Sequence, residues 1–338
     1  MTLRTPLCDL LGIDVPVLLA GMGGVSYAQV CAAVSEAGGF GTLGMASETP
    51  EGIRREMREV RRLTDRPFGV DLLAALPERM LAAIDVIIEE GARAFVAGLG
   101  VPGEVVARCH DAGLVVMSLC GKVRHAVAAE QAGCDVVVAQ GTEAGGHTGN
   151  VGGMALIPQI VDAVSIPVVA AGAIVDGRGL AAALAFGAQG AWMGTRFIAS
   201  HEARAAQTYK KRITEIRDED TLVTRCYSGK PMRVIRNRYV EDWERRADEI
   251  RPFPEQFAVS ARAGAFAAMG SADEVDAERA AMPCGQGAGA IHDVRSCAEI
   301  VRDVVREAEE VIDRLGHLRG GGAGATAARR EGAPRQTA

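Results

Sequence analysis

Gln131-Ala132-Gly133-Cys134-Asp135-Val136-Val137-Val138-Ala139-Gln140-Gly141 is one complete joint of the pattern that runs through this chain. A helix-like stretch stops at Ala-Gly, because glycine takes left-handed backbone at a helix end without steric cost. A short connection follows, then an apolar, β-branched run that reads as a buried strand. The joint recurs at Glu36-Ala37-Gly38-Gly39, at Glu90-Gly91-Ala92, at Asp111-Ala112-Gly113 and at Phe186-Gly187-Ala188, each ahead of another apolar run. Helices alternating with such strands imply parallel pairing.

Strands are expected at 15–20, 40–44, 68–73, 94–99, 115–119, 136–140, 167–171 and 191–195. Eight evenly spaced units of this kind favour an α/β fold of the (β/α)₈ TIM-barrel type. The rival is a doubly wound open sheet, which would carry G-x-G-x-x-G after its first strand. Here that strand ends Gly21-Met22-Gly23-Gly24, without that spacing. After Phe197 the alternation stops, and residues 201–280 are charged and helix-prone. The expected organisation is a barrel from 1–200 and 281–317, a smaller, mostly helical insertion at 201–280 on the substrate side, and a disordered tail at 318–338. An amphipathic helix over 294–315 is expected to return as the last barrel helix, with Ile300, Val304, Val311 and Leu315 on or near one stripe. The tail is Gly/Ala/Arg-rich and has no apolar period.

Composition narrows the function classes. Apolar residues make up 48% of the 338, enough for a large core. Aromatics are 4%, the net charge is −6 and no basic stripe occurs, which speaks against a nucleic-acid partner. Eight cysteines are scattered with no C-x-x-C pair, the pattern of reduced cytoplasmic thiols and not of a disulfide framework or metal site. Asp9 and Asp14 interrupt the first apolar stretch, so no signal peptide is read there. No run of about 18 uncharged apolar residues suggests a membrane span.

The chemistry concentrates in glycine-rich strand ends. Gln140-Gly141-Thr142-Glu143-Ala144-Gly145-Gly146-His147-Thr148-Gly149 sets one acid and one imidazole in backbone thin enough to lie against a ligand. His147 is the side chain suited to exchanging a proton near neutral pH. Glu143 is read as a loop-shaping acceptor of backbone N–H groups. The seventh and eighth units end at Gly172-Ala173 and at Trp192-Met193-Gly194-Thr195. Barrel enzymes frequently hold phosphate with those two loops, and small residues there bare backbone N–H groups. Met22, between Gly21 and Gly23, either lies flat against a planar ring or packs in the core. Asp71 is either a strand-end site residue or a helix N-cap. Lys122 reads as a solvated surface lysine.

These motifs carry a family resemblance. Gln140–Gly149, the A-A-G-A-I-x-D-G-R-G run from Ala170 and M-G-T-R-F from Met193 resemble the nitronate monooxygenases, formerly 2-nitropropane dioxygenases. FMN-dependent enoyl-ACP reductases of the second type and NADH:quinone reductases are related. The resemblance covers about residues 5–317. It implies FMN in a TIM barrel, with its phosphate at Gly172, Ala173, Gly194 and Thr195. Gly21, Met22, Gly23, Asp71, Gln140, Gly145, Gly146, Trp192 and Met193 complete the expected cofactor shell, and His147 is the catalytic or substrate-orienting imidazole. The implied reaction is oxidation of alkyl nitronates by O₂ to carbonyl compounds and nitrite. The alternative is NAD(P)H-dependent reduction of enoyl thioesters or quinones. NAD(P)H is thus a candidate partner beside the small-molecule substrate and O₂, and a homodimer is a candidate assembly. From another class, a flavin-free barrel binding a sugar phosphate would give a colourless protein. Two departures stand out: Asp71 replaces the usual Asn, and Ala173 replaces the second Gly of A-A-G-G-I.

Overall fold

In the computed structural model the described residues are 3–73, 77–98, 100, 103–270 and 272–318. Of the expected tail at 318–338, all but Leu318 lies outside them. Eight parallel strands form the barrel: β1 (Val17–Leu19), β2 (Gly41–Gly44), β3 (Phe68–Leu73), β4 (Ala94–Gly98), β5 (Val115–Cys120), β6 (Val136–Gln140), β8 (Val168–Ala171) and β9 (Gly190–Met193). The two-residue strand β7 (Gly146–His147) stands apart from them, in the loop after β6. The sheet runs β1-β9-β8-β6-β5-β4-β3-β2, and a parallel bridge between Leu18 and Phe40 joins its two ends. Leu19 N–H donates to Phe40 C=O, and Phe40 N–H to Val17 C=O, both at 2.9 Å. The helix-ending glycines Gly38, Gly91, Gly113, Gly133 and Gly187 all take positive φ. This is why the same joint could be used five times.

Two hydrophobic layers follow from the period of two along each strand. Val136 and Val138 point into the barrel with Leu18, Val96, Met117 and Val169. Val137 and Ala139 point outward, into the larger core shared with the helices. Each fully buried valine or leucine stabilises by about 1.5–3 kcal/mol relative to exposure, so a register slip in any strand would be costly. Leu7, Cys8 and Leu11 of the helix Pro6–Leu11 pack onto the inner cluster. The last helix, Cys297–His317, carries a Ser296/Glu299 capping box and packs on the helices Gly177–Ala185 and Ala28–Glu36. It thereby completes the helical ring.

Between these lies an excursion after the eighth barrel strand. Helices dominate it (Gln207–Glu215, Arg238–Glu244 and Glu255–Arg262), but it also holds a hairpin of β10 (Thr221–Thr224) and β11 (Met232–Ile235). β11 pairs antiparallel with β7, placing Met232 opposite His147. Cys226, Tyr227, Val234, Val240 and Ala265 give the excursion its own small core. On the return path, Cys284 N–H donates to Arg233 C=O and Gln286 N–H to Glu143 C=O. The loop after β6 is therefore held from two later parts of the chain. All eight cysteines are free and buried. No helix among the described residues is long and apolar enough to cross a membrane.

Candidate active site

The inward row of each strand ends in a residue at the C-terminal rim, and these residues build the site. The row Leu18, Ala20 continues to Met22, and Val136, Val138 to Gln140. Val169, Ala171 leads toward Ala173, and Trp192 is followed on the same face by Gly194. With Asp71 from β3 they surround a cavity of about 550 Å³. Its walls include Gly21, Met22, Gly23, Asp71, Gln140, Gly145, Gly146, His147, Gly172, Ala173, Trp192, Gly194 and Thr195. Met193 is the exception among the expected site residues. It follows Trp192 by one position, so its side chain turns outward into the helix-facing core and is 1% exposed. Lys122 does not reach the cavity either.

Side-chain bonds tie the histidine loop shut. Gln140 Nε2 donates to His147 C=O at 2.8 Å. Thr142 Oγ1 donates to Gly149 C=O at 2.9 Å, and Thr148 Oγ1 to Gly141 C=O at 3.1 Å. Both oxygens of the Glu143 carboxylate accept from Gly153 N–H at 3.0 Å, so Glu143 shapes the loop. Arg233, 8% exposed, donates from Nε to Thr142 C=O at 3.0 Å and from Nη1 to Thr221 Oγ1 at 3.1 Å. The His147 ring meets Ser228 Oγ through Nε2 at 2.8 Å. Burial, and then the Lys230 ammonium, hold the imidazole below its ordinary pKa, so it is neutral at pH 7. Ser228, Met232, Phe257, Phe266 and Met269 of the excursion also face the cavity, as do Pro283 and Gly285 of the returning segment. The insertion is expected on the substrate side, but none of these individual residues is singled out by the sequence. They come from segments whose approach to the rim depends on the β7–β11 pairing, and only the alternating run Met232-Arg233-Val234-Ile235 hinted at a strand there.

The family model for nitronate monooxygenase matches residues 4–83 and 79–307. The chain belongs to the nitronate monooxygenase family. A probable nitronate monooxygenase of Staphylococcus saprophyticus is 32% identical, the match covering 93% of this chain and 100% of that protein. The (3aS,4S,5R,7aS)-5-hydroxy-7a-methyl-1-oxo-octahydro-1H-indene-4-carboxyl-CoA dehydrogenase of Mycobacterium tuberculosis is 33% identical, over 94% of this chain and 98% of that one. The structure of FabK from Thermotoga maritima superposes with a TM-score of 0.87 at 35% identity, covering 94% of this chain and all of that one. Membership makes the chain a flavin-dependent oxidoreductase.

The cavity of this nitronate monooxygenase-family chain fits such a cofactor on its own geometry. The N–H groups of Gly172, Ala173, Gly194 and Thr195 find no acceptor among the described residues, although all four residues line the cavity. Unpaired donors converging on one rim suit an anion. Thr195 Oγ1 accepts from Gly285 N–H at 3.1 Å, which fixes the hydroxyl at this edge. Ala173 has φ +52°, the one left-handed non-glycine among the described residues. An L-residue is strained there, and the strain is retained where it turns the N–H groups inward.

Asp71 stands where the resemblance implies an Asn, and its surroundings define its chemistry. Asp71 is 9% exposed, and its carboxyl has no hydrogen-bond partner among the described residues. It presses so closely on the first strand's loop that a Cβ on Gly21 would collide with Asp71 Oδ2, which explains the glycine. Burial alone raises its pKa well above the usual carboxylate range. A protonated carboxyl offers one O–H donor and one carbonyl acceptor, and an Asn side chain also offers both functions. The linkage has a definite sign. An unfolded Asp ionises near pH ~4, while the folded one holds its proton to higher pH, so Asp71 subtracts stability progressively as pH rises above that point. Asp71→Asn is therefore expected to leave stability near the wild type at pH 4 and to exceed it by about 1–3 kcal/mol at pH 8, the usual cost of a buried unpaired group. Denaturant melts across that range read the difference, and a gap independent of pH would show that Asp71 is ionised and paired.

Proposed function

We propose that the chain binds FMN at this rim and oxidises alkyl nitronates with O₂, giving a carbonyl compound and nitrite. The observation that carries the reading is a neutral, half-buried imidazole lining the same cavity as four unpaired backbone donors. Gly172, Ala173, Gly194 and Thr195 would hold the phosphate, with Gly21, Met22, Asp71, Gln140 and Trp192 around the ring system. The bound flavin supplies the electron-accepting chemistry, which no side chain of the chain offers. His147 orients the nitro group by hydrogen bonding, or takes the α-proton when the substrate arrives as a neutral nitroalkane. Glu143 is engaged with Gly153 N–H and stays out of the proton transfer. A single phosphate cradle, with no adenosine-binding motif, favours FMN over FAD.

One observation favours a second reading. The excursion lines its side of the cavity with Met232, Phe257, Phe266 and Met269, an apolar wall large for a short nitroalkane. The M. tuberculosis relative is named for a bulky CoA thioester. NAD(P)H-dependent reduction of an enoyl thioester, or of a quinone, fits that wall. One measurement separates the two. The purified protein is expected to be yellow, to release FMN on heating, and to bleach anaerobically with a nitronate. Bleaching by NADH alone would favour the reductase, FAD would overturn the cofactor assignment, and a colourless protein would remove both readings.

A further inference from the structure

The Ser228–His147 contact decides which nitrogen of the imidazole serves the substrate. Ser228 is 2% exposed and lies in the turn between β10 and β11. Its Oγ meets three groups: His147 Nε2 at 2.8 Å, Lys230 C=O at 3.2 Å and Lys230 N–H at 3.3 Å. A hydroxyl has one hydrogen to give and two lone pairs to receive. Lys230 N–H can only donate, and Lys230 C=O can only accept. If the hydroxyl hydrogen went to His147 Nε2, Lys230 C=O would lose its one partner among the described residues. If it goes to Lys230 C=O, both lone pairs remain for Lys230 N–H and an Nε2–H, and all three contacts are satisfied at once.

We infer that Ser228 is a positioning residue that locks His147 as the Nε2–H tautomer and presents Nδ1, with its lone pair, to the cavity. No group among the described residues bonds Nδ1. The other titratable side chains of the cavity wall, among them Glu48, Asp71 and Arg204, make no hydrogen bond to the ring, and Lys230 bears on it only through its charge. The inference deepens the functional reading above and rests on it for the identity of the proton donor. In the step it specifies, the substrate α-C–H bond breaks and an Nδ1–H bond forms. The electron pair stays with the substrate as the nitronate, and the resulting imidazolium keeps its Nε2–H on Ser228 Oγ. A proton-abstracting imidazole whose second nitrogen is tied down in this way is held both in orientation and in tautomer.

The test combines ¹⁵N-histidine NMR of the purified protein with kinetics of Ser228→Ala and Ser228→Thr. The His147 signals, assigned by their loss in His147→Asn, are expected to show a protonated Nε2 and an unprotonated Nδ1 in the wild type. Ser228→Ala should give a mixture of tautomers. It should also lower kcat/KM for a neutral nitroalkane by about 10–100-fold, part of the 10²–10⁴ that general-base catalysis supplies. It should change turnover of a pre-formed nitronate less than about twofold and leave flavin content intact. Ser228→Thr, which keeps the hydroxyl, should restore the tautomer and most of the rate. A protonated Nδ1 in the wild type would overturn the assignment whatever the substrate proves to be, as would unchanged ¹⁵N shifts in Ser228→Ala. The expected tautomer in a protein that turns over no nitroalkane would instead retain the Ser228 assignment and remove the functional reading.

Discussion

His147→Asn is expected to lower kcat/KM for a neutral nitroalkane on the order of 10²–10⁴-fold, the usual worth of a positioned general base. Asparagine keeps a donor of similar size but cannot accept a proton near neutral pH. The two-residue pairing of β7 with β11 is made by backbone and should survive the change. A pre-formed nitronate has already lost its α-proton and should suffer far less. Flavin content should match the wild type, since the unpaired N–H groups belong to Gly172, Ala173, Gly194 and Thr195 and not to the histidine loop. The pH profile carries a sign as well. Burial and Lys230 lower the His147 pKa, so the wild-type rate on nitroalkane should stay level through neutral pH and fall only on the acid side, below the ordinary histidine range. Steady-state kinetics on both substrates checks this. Equal losses on both would assign His147 to orientation alone, and no loss on either would remove it from the site.

Gly194→Val should give a folded protein that purifies without its flavin. Gly194 has φ −107°, which valine tolerates. A Cβ there would meet Met22 Sδ at 3.4 Å and Ala20 Cβ at 3.5 Å, both ordinary contacts. The two γ-carbons would then project into the cavity beside Thr195 N–H, where a phosphate needs to approach. Losing that approach should weaken flavin binding on the order of 100-fold or more, or about 2.7 kcal/mol. The melting temperature should stay within a few degrees of wild-type apo-protein. Absorbance of the purified protein and titration with FMN report the outcome; full flavin occupancy would put the phosphate elsewhere on the rim. By contrast Gly172, at φ +117°, would be strained by any side chain, so its substitution would confound folding with binding.

The barrel was legible because its information is local. Val136 to Ala139 reads as a strand without knowledge of its neighbours, and Gly133 reads as a helix stop for the same reason. The rim was legible where glycines or a lone histidine broke the apolar pattern. The motif M-G-T-R-F does not reveal which of its residues faces the cavity: the strand alternates, and it sends the Met193 side chain to the opposite face from Trp192. The hairpin was not anticipated: β10 and β11 are four residues each, and β11 finds its partner in a two-residue strand far earlier in the chain. Ser228 was invisible for a related reason, since its value lies in a pairing no local pattern encodes. The raised pKa of Asp71 likewise depends on burial among residues from several strands.

The pairing of β7 with β11 makes the imidazole's position conditional on a part of the molecule outside the barrel. β7 has only two residues, and its neighbour Thr148 is anchored to Pro231 C=O by a 3.3 Å bond. Opening of the excursion, with its own small core around Tyr227, breaks these contacts without disturbing the eight-stranded sheet. Catalytic competence and global folding therefore have separate free energies, the first smaller than the second. On mild heating, amide exchange across β10 and β11 should accelerate while β4, β5 and β6 remain protected. Turnover should fade at that lower temperature, before the barrel melts and before the cofactor is released.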